Sequence, residues 1–260
     1  MTMHRGTIES ALRARIDSGG KALVPYITGG FDGYLDAIRA AAHEGADAIE
    51  VGIPFSDPVM DGPVIQEANE IVLAQGVTPQ SILDELRGLD VGIPLAAMTY
   101  YNIAYRFGLE RFANSLTMAG VAGAILPDLP LSELGPWANA ADADGVETVL
   151  LVAPTTPDPR LQEICDRSRG FVYAVGLLGV TGVRSELADS ATVIARRCKD
   201  VTEKPVLVGV GVSTPDQAAE VSEVADGCVV GSAIVRRLLE GEGPEGVGSL
   251  VAEIRAALDG

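Results

Sequence analysis

Short apolar runs alternate with longer segments of helical spacing along the whole chain, and this alternation constrains the fold more than any other feature. The runs are "KALVPYIT", "ADAIEVGIP", "IPLAAMTYY", "VAGAILP", "VETVLLVAP", "GFVYAV", "KPVLVGVG" and "DGCVVGSA", eight in all. Between them, segments such as "YLDAIRAAAHEGAD", "LERFANSLTMAG" and "TPDQAAEVSEVAD" repeat their apolar residues at three- and four-residue intervals. Several of these end at a glycine directly before the next run, as at Gly45, Gly120 and Gly145. Eight strands, each followed by a helix, predict an α/β chain with a parallel sheet, and 260 residues suit one (β/α)8 barrel, the TIM-barrel architecture, over residues 1–260. A doubly wound sheet is the alternative, because periodicity does not report closure. Two additions are expected: "IESALRARID" before the first strand, capping the barrel floor, and two helices after the second strand, "PVIQEANEIVLAQG" and "TPQSILDELRGL".

Composition narrows the chemistry. Nineteen Lys and Arg against 36 Asp and Glu leave a net charge of −17, which disfavours nucleic acid and anionic membrane surfaces. There are three lysines: Lys21 and Lys204 open strands and Lys199 ends a helix, so none stands where a Schiff base would form in a barrel. His4 lies in the N-terminal tail and His43 in a helix, positions that predict no zinc site. Cys165, Cys198 and Cys228 are odd in number and form no C-x-x-C pair, which predicts free thiols in a reducing compartment. The N-terminus lacks an apolar signal region and no charge-free stretch reaches a membrane span, so a cytoplasmic location is expected.

In a barrel, chemistry gathers at the C-terminal ends of the strands. The second strand ends "ADAIEVGIPFSDPVMDGPVIQEAN", the most informative segment of the chain. Glu50 is flanked there by Ile49 and Val51, where lost hydration would raise its pKa and suit it to giving and taking a proton near neutral pH. The alternative is a hydrogen-bonded structural glutamate or a floor ion pair. Asp61, before Gly62-Pro63, reads equally as a catalytic carboxylate or as the cap of the helix that Pro63 begins. Asp57, in Ser-Asp-Pro, reads as a turn or interface residue, and a magnesium site built from Glu50, Asp57 and Asp61 is a competing use of these carboxylates. Glycines gather at the mouths of the last three strands, in "LLGVTGV", "VGVGVST" and "VVGSAI", and predict phosphate held by backbone N–H groups and a helix N-terminus. The chain has no P-loop or complete G-x-G-x-x-G, which argues against ATP or a dinucleotide.

These segments, with "LVPYITGG", "AAMTYYN", "LPDLPLSE", "GVTG", "GVGVSTPDQ" and "GSAIV" in order, resemble the tryptophan synthase α subunit family over essentially the whole chain. The resemblance implies a retro-aldol lyase that cleaves indole-3-glycerol phosphate to indole and glyceraldehyde 3-phosphate, and a β-subunit partner in an αββα assembly. It implies no cofactor or metal in this chain, with pyridoxal phosphate in the β partner. By resemblance Glu50 is the general acid–base and Asp61 accepts a hydrogen bond from the indole N–H. Tyr26, Tyr100, Tyr173 and Thr181 match substrate-side positions, Gly182, Gly211, Gly231 and Ser232 the phosphate site, and Asp57, Pro58 and Asp128 the partner face. The chain departs from the family pattern with Tyr26 and Val210, where Phe is common, and with Gly176-Leu177-Leu178 before "GVTG". The alternatives are a lyase working without a partner, a weakly active subunit that mainly activates β, and another phosphate-binding barrel enzyme.

Overall fold

The structure is a computed structural model that describes residues 5–176, 184–209 and 211–260, with backbone alone for 184–189. Eight strands close into a barrel in chain order: β1 Ala22–Thr28, β2 Ile49–Gly52, β3 Leu95–Met98, β4 Val121–Ile125, β5 Glu147–Val152, β6 Val172–Ala174, β7 Val206–Val208 and β8 Gly227–Val230. All neighbours are parallel, and β8 pairs with β1. Closure excludes the doubly wound alternative. The strands are shorter than their apolar runs, because several runs continue into the loops that line the barrel mouth.

The helices are α1 Thr7–Asp17, α2 Tyr34–His43, α3 Pro63–Ala74, α4 Pro79–Leu86, α5 Tyr101–Phe107, α6 Leu109–Met118, α7 Gly135–Ala143, α8 Asp158–Arg167, α9 Arg184–Lys199, α10 Pro215–Ser222, α11 Ser232–Leu239 and α12 Gly243–Asp259. Gly45, Gly120 and Gly145 follow helix ends with positive φ, as expected. Two helices escape the sequence reading. The seven residues of α5 are too few to show a period, and its first N–H, that of Tyr101, is held by the Asp128 carboxylate at 2.8 Å. Glycines dilute the pattern in the first half of α12, which packs on α2 and α10.

Alternate strand residues enter two cores. Ala22, Val24, Ala48, Ala96, Val149, Phe171, Leu207 and Val229 fill the barrel, while Leu23, Ile27, Ile49 and Val51 pack outward against the helices. Both strand faces are therefore covered, which is why the strands read as nearly continuous apolar runs. Ile8 and Leu12 of α1 are fully buried in the inner core, so α1 closes the floor as expected. Glu147, the first residue of β5, holds it there: its carboxylate accepts the N–H groups of Ile8 at 2.7 Å and Glu9 at 3.1 Å, the unpaired donors of a helix start.

Candidate active site

A cavity of about 190 Å³ opens at the C-terminal mouth of the barrel, walled by apolar residues including Ile65, Met98, Ile125, Leu151, Val175 and Val229. Glu50 and Asp61 both face it. Glu50 stands in β2 beside Tyr26 of β1 and Ala96 of β3 in the sheet register, and is 2% exposed. Its Oε2 has no hydrogen-bond partner. Burial, then the nearby charge of Asp61, push its pKa up to about 8, with the Tyr173 hydroxyl opposing as a hydrogen-bond donor. Glu147 supplies the contrast: equally buried, it has both oxygens engaged. The structural glutamate at the floor is Glu147, and Glu50 is left as a buried carboxyl with proton affinity near neutral pH.

Asp61 lies in the loop between β2 and α3, and the capping alternative does not hold for it. Gly62 is the N-cap of α3, no side chain caps it, and Pro63 follows at the first turn. The Asp61 carboxylate turns the other way, accepting from the Tyr100 hydroxyl at 2.9 Å and from Asn69 Nδ2 at 3.0 Å. Burial raises its pKa, and those two donors oppose the rise. Tyr100 does not line the cavity; it stacks on Phe55, with ring centroids 5.2 Å apart, and reaches the site through Asp61. Asn69 was not anticipated. One polar residue on the buried side of an amphipathic helix is the signal that could have found it.

Tyr26 and Tyr173 line the cavity, and two glycines make room for them. A Cβ on Gly52 would lie 1.9 Å from the Tyr26 hydroxyl, and one on Gly209 would lie 1.9 Å from the Tyr173 ring. Gly209→Ala is therefore expected to destabilise the fold by ~1–3 kcal/mol through overpacking and to push Tyr173 off Glu50. Denaturant melts together with a steady-state assay would check this, with stability and turnover falling together.

The predicted phosphate positions Gly211, Gly231 and Ser232 sit together at the cavity, and Ser232 is the first residue of α11, whose unpaired N–H groups and positive dipole end point that way. Thr181, Gly182, Leu177, Leu178 and Val210 lie outside the described residues. Asp57 is exposed and bonded to Ser56 at 2.6 Å, Pro58 is half-buried, and Val59 beside them is 73% exposed. Asp128 is also exposed. Asp57 thus stands apart from Glu50 and Asp61, and the three-carboxylate magnesium arrangement is not formed among the described residues.

The lysines are spent elsewhere. Lys199 Nζ pairs with Asp226 at 2.9 Å, Lys21 Nζ donates to the Ala225 carbonyl, and Lys204 Nζ donates to the carbonyls of Cys165, Asp166 and Ser168, all beside the N-terminal ends of strands. The three cysteines are free and buried. Among the described residues no helix is long and apolar enough to cross a membrane.

Comparison with known proteins identifies the family. Residues 12–255 match the model of the family described as tryptophan synthase alpha chain. The chain belongs to that family. The tryptophan synthase alpha chain of Streptomyces coelicolor is 44% identical over 97% of each chain, and that of Methanosarcina mazei is 44% identical over 85% of this chain and 82% of its own. Among solved structures, a chain of tryptophan synthase from Mycobacterium tuberculosis superposes with a TM-score of 0.89 at 34% identity, covering 98% of this chain and 99% of that one. The tryptophan synthase alpha chain of Legionella pneumophila gives 0.88 at 32% identity, with 98% of each covered. With membership comes the reaction class: the chain is a lyase of the type that cleaves indole-3-glycerol phosphate.

Proposed function

We propose that the cavity binds indole-3-glycerol phosphate with its indole ring among Met98, Ile125, Leu151 and Val229, and its phosphate at the N-terminus of α11, held by Gly211, Gly231 and Ser232, to which the family resemblance adds Gly182. The observation that carries this reading is the pairing of two unlike carboxyls on one apolar cavity: Glu50 without a partner on Oε2, and Asp61 held by two donors.

Below about pH 8 Glu50 is largely protonated, so it enters the reaction as an acid. It gives its proton to the indole C3, and the ring takes up the positive charge. Asp61 accepts the indole N–H and stabilises that charge, which a carboxylate in an apolar cavity does better than one in water. The glycerol hydroxyl next to C3 then returns its proton to Glu50 while the carbon–carbon bond breaks. Its electrons restore the indole ring, and the hydroxyl carbon becomes the aldehyde of glyceraldehyde 3-phosphate. Glu50 ends protonated, as it began. Tyr26 and Tyr173 wall the substrate, and the family resemblance assigns Thr181 to the substrate side as well.

The face bearing Asp57, Pro58 and Asp128, with exposed Val59 beside it, would meet a β subunit that carries the pyridoxal phosphate. The family resemblance assigns the pyridoxal phosphate to the partner, and this chain's three lysines are engaged outside the cavity. One barrel over 1–260 acting in the cytoplasm fits the buried free thiols. Names that place the relatives within a synthase favour this assembly over a lyase working by itself. The purified chain assayed for indole release with and without a tryptophan synthase β subunit tests it: a rate that rises on adding β is expected, an unchanged rate would favour the partner-free lyase, and no cleavage in either case would contradict the reading.

A further inference from the structure

Outside the cavity wall, the buried polar side chain with the least structural reason to be there is Asn69. It lies in α3 between Ala68 and Ile71-Val72 and is 3% exposed. A buried amide is costly unless bonded, and this one is half satisfied: Nδ2 donates to Asp61 Oδ2 at 3.0 Å, while Oδ1 has no partner. An ionised carboxylate only accepts, so the nitrogen must be the atom that faces it. From the other side, the Tyr100 hydroxyl donates to Asp61 Oδ1 at 2.9 Å and is itself fixed by the Met60 N–H at 3.0 Å. Two donors, one from α3 and one from the N-cap of α5, therefore close on one carboxylate and orient it.

We propose that Asn69 is a positioning residue for the reaction, aiming the Asp61 carboxylate and keeping it ionised without touching substrate itself. This rests on the role given to Asp61 under the proposed function. The other ionisable groups facing Asp61 are Glu50 of β2, Tyr26 of β1, Tyr100 and Tyr173 of β6, none of them cationic. On α3 itself Glu67 and Glu70 are exposed; on α11, which packs against α3, Arg236 is exposed and Arg237 pairs with Glu242. No salt bridge to Asp61 occurs among the described residues, so neutral donors carry the load that a cation would otherwise take.

Asn69→Leu keeps the size and removes the donor; Asn69→Asp keeps the shape and replaces the donor with a like charge. Both should lower kcat, by about ten- to hundredfold for the first, the effect of losing a hydrogen bond to a charged group. Both should also move the acid limb of kcat/KM to higher pH, further for Asn69→Asp, because Asp61 then protonates more readily. Carbon-13 NMR of the Asp61 carboxyl in the full chain without substrate should show the same upward shift in its titration. In an Asp61→Asn background the Asn69 change should add little further loss. An unmoved Asp61 titration, an unmoved acid limb, or losses that multiply in full would each overturn the proposal. Where Asp61→Asn is impaired while the Asn69 variants behave like the parent, only this inference falls; where Asp61→Asn is itself silent, the role of Asp61 falls with it.

Discussion

Glu50→Gln is expected to lower indole release from indole-3-glycerol phosphate by about 10²- to 10⁴-fold, the range for removing a general acid–base, while leaving the protein folded. The amide has nearly the shape of the carboxyl and fits the same place between Tyr26 and Ala96. It has no proton to give to carbon and no basic oxygen to take one back. The same variant tests the electrostatics through stability. Burial holds the folded-state pKa at about 8 against an ordinary 4.5, so the folded form binds more protons than the unfolded form between those values. The parent should therefore lose stability as pH rises from about 4.5 to about 8, and Glu50→Gln should not lose this increment. Denaturant melts at pH 5 and pH 9 would show the variant gaining on the parent at the higher pH. Parent-like turnover in Glu50→Gln would end the proposed mechanism.

Asp61→Asn is the second large effect, with an expected fall of about 10²- to 10³-fold, comparable to deleting a preorganised group that faces developing charge. The amide oxygen can still accept the indole N–H, so ground-state binding is largely kept. What is lost is the negative charge opposite a ring that turns positive only after C3 is protonated. The loss should therefore fall mainly on kcat, with KM changed little. Steady-state kinetics at saturating substrate separate the two, and a variant with raised KM and intact kcat would recast Asp61 as a simple binding group. A further consequence concerns Glu50, whose pKa the Asp61 charge helps to raise. Neutralising Asp61 should lower it, moving the rate's dependence on Glu50 toward lower pH.

The barrel was legible because strand and helix periods alternate cleanly and both strand faces are apolar, so eight runs announced eight strands. Glu50 was legible as a carboxylate among β-branched neighbours, but so, on the same grounds, is Glu147 in "VETVLLVAP". Only the fold separates them: Glu147 opens its strand at the floor and meets the start of α1, whereas Glu50 looks into the cavity with an oxygen unpaired. Asp61 was ambiguous between cap and site because a carboxylate before Gly-Pro suits both, and the direction of its side chain is set by Tyr100 and Asn69, distant in sequence or a turn too far for a cap. Asn69 itself is hidden because a single asparagine in "IQEANEIVLA" carries no period and no motif. Gly209 stands in the glycine-rich "VGVGVST" and Gly52 in no such run; their steric role toward Tyr173 and Tyr26 depends on contacts between adjacent strands that spacing does not report.

In the proposed reaction Glu50 holds a proton at neutral pH and exchanges it with the substrate. Carbon-13 NMR titration of side-chain carboxyls in glutamate-labelled protein tests this most directly, with Glu50→Gln used to assign the signal. One glutamate signal, absent from the variant, is expected to titrate at about 8, as this role for Glu50 requires. A Glu50 signal that titrates near the ordinary value of 4.5 would contradict it.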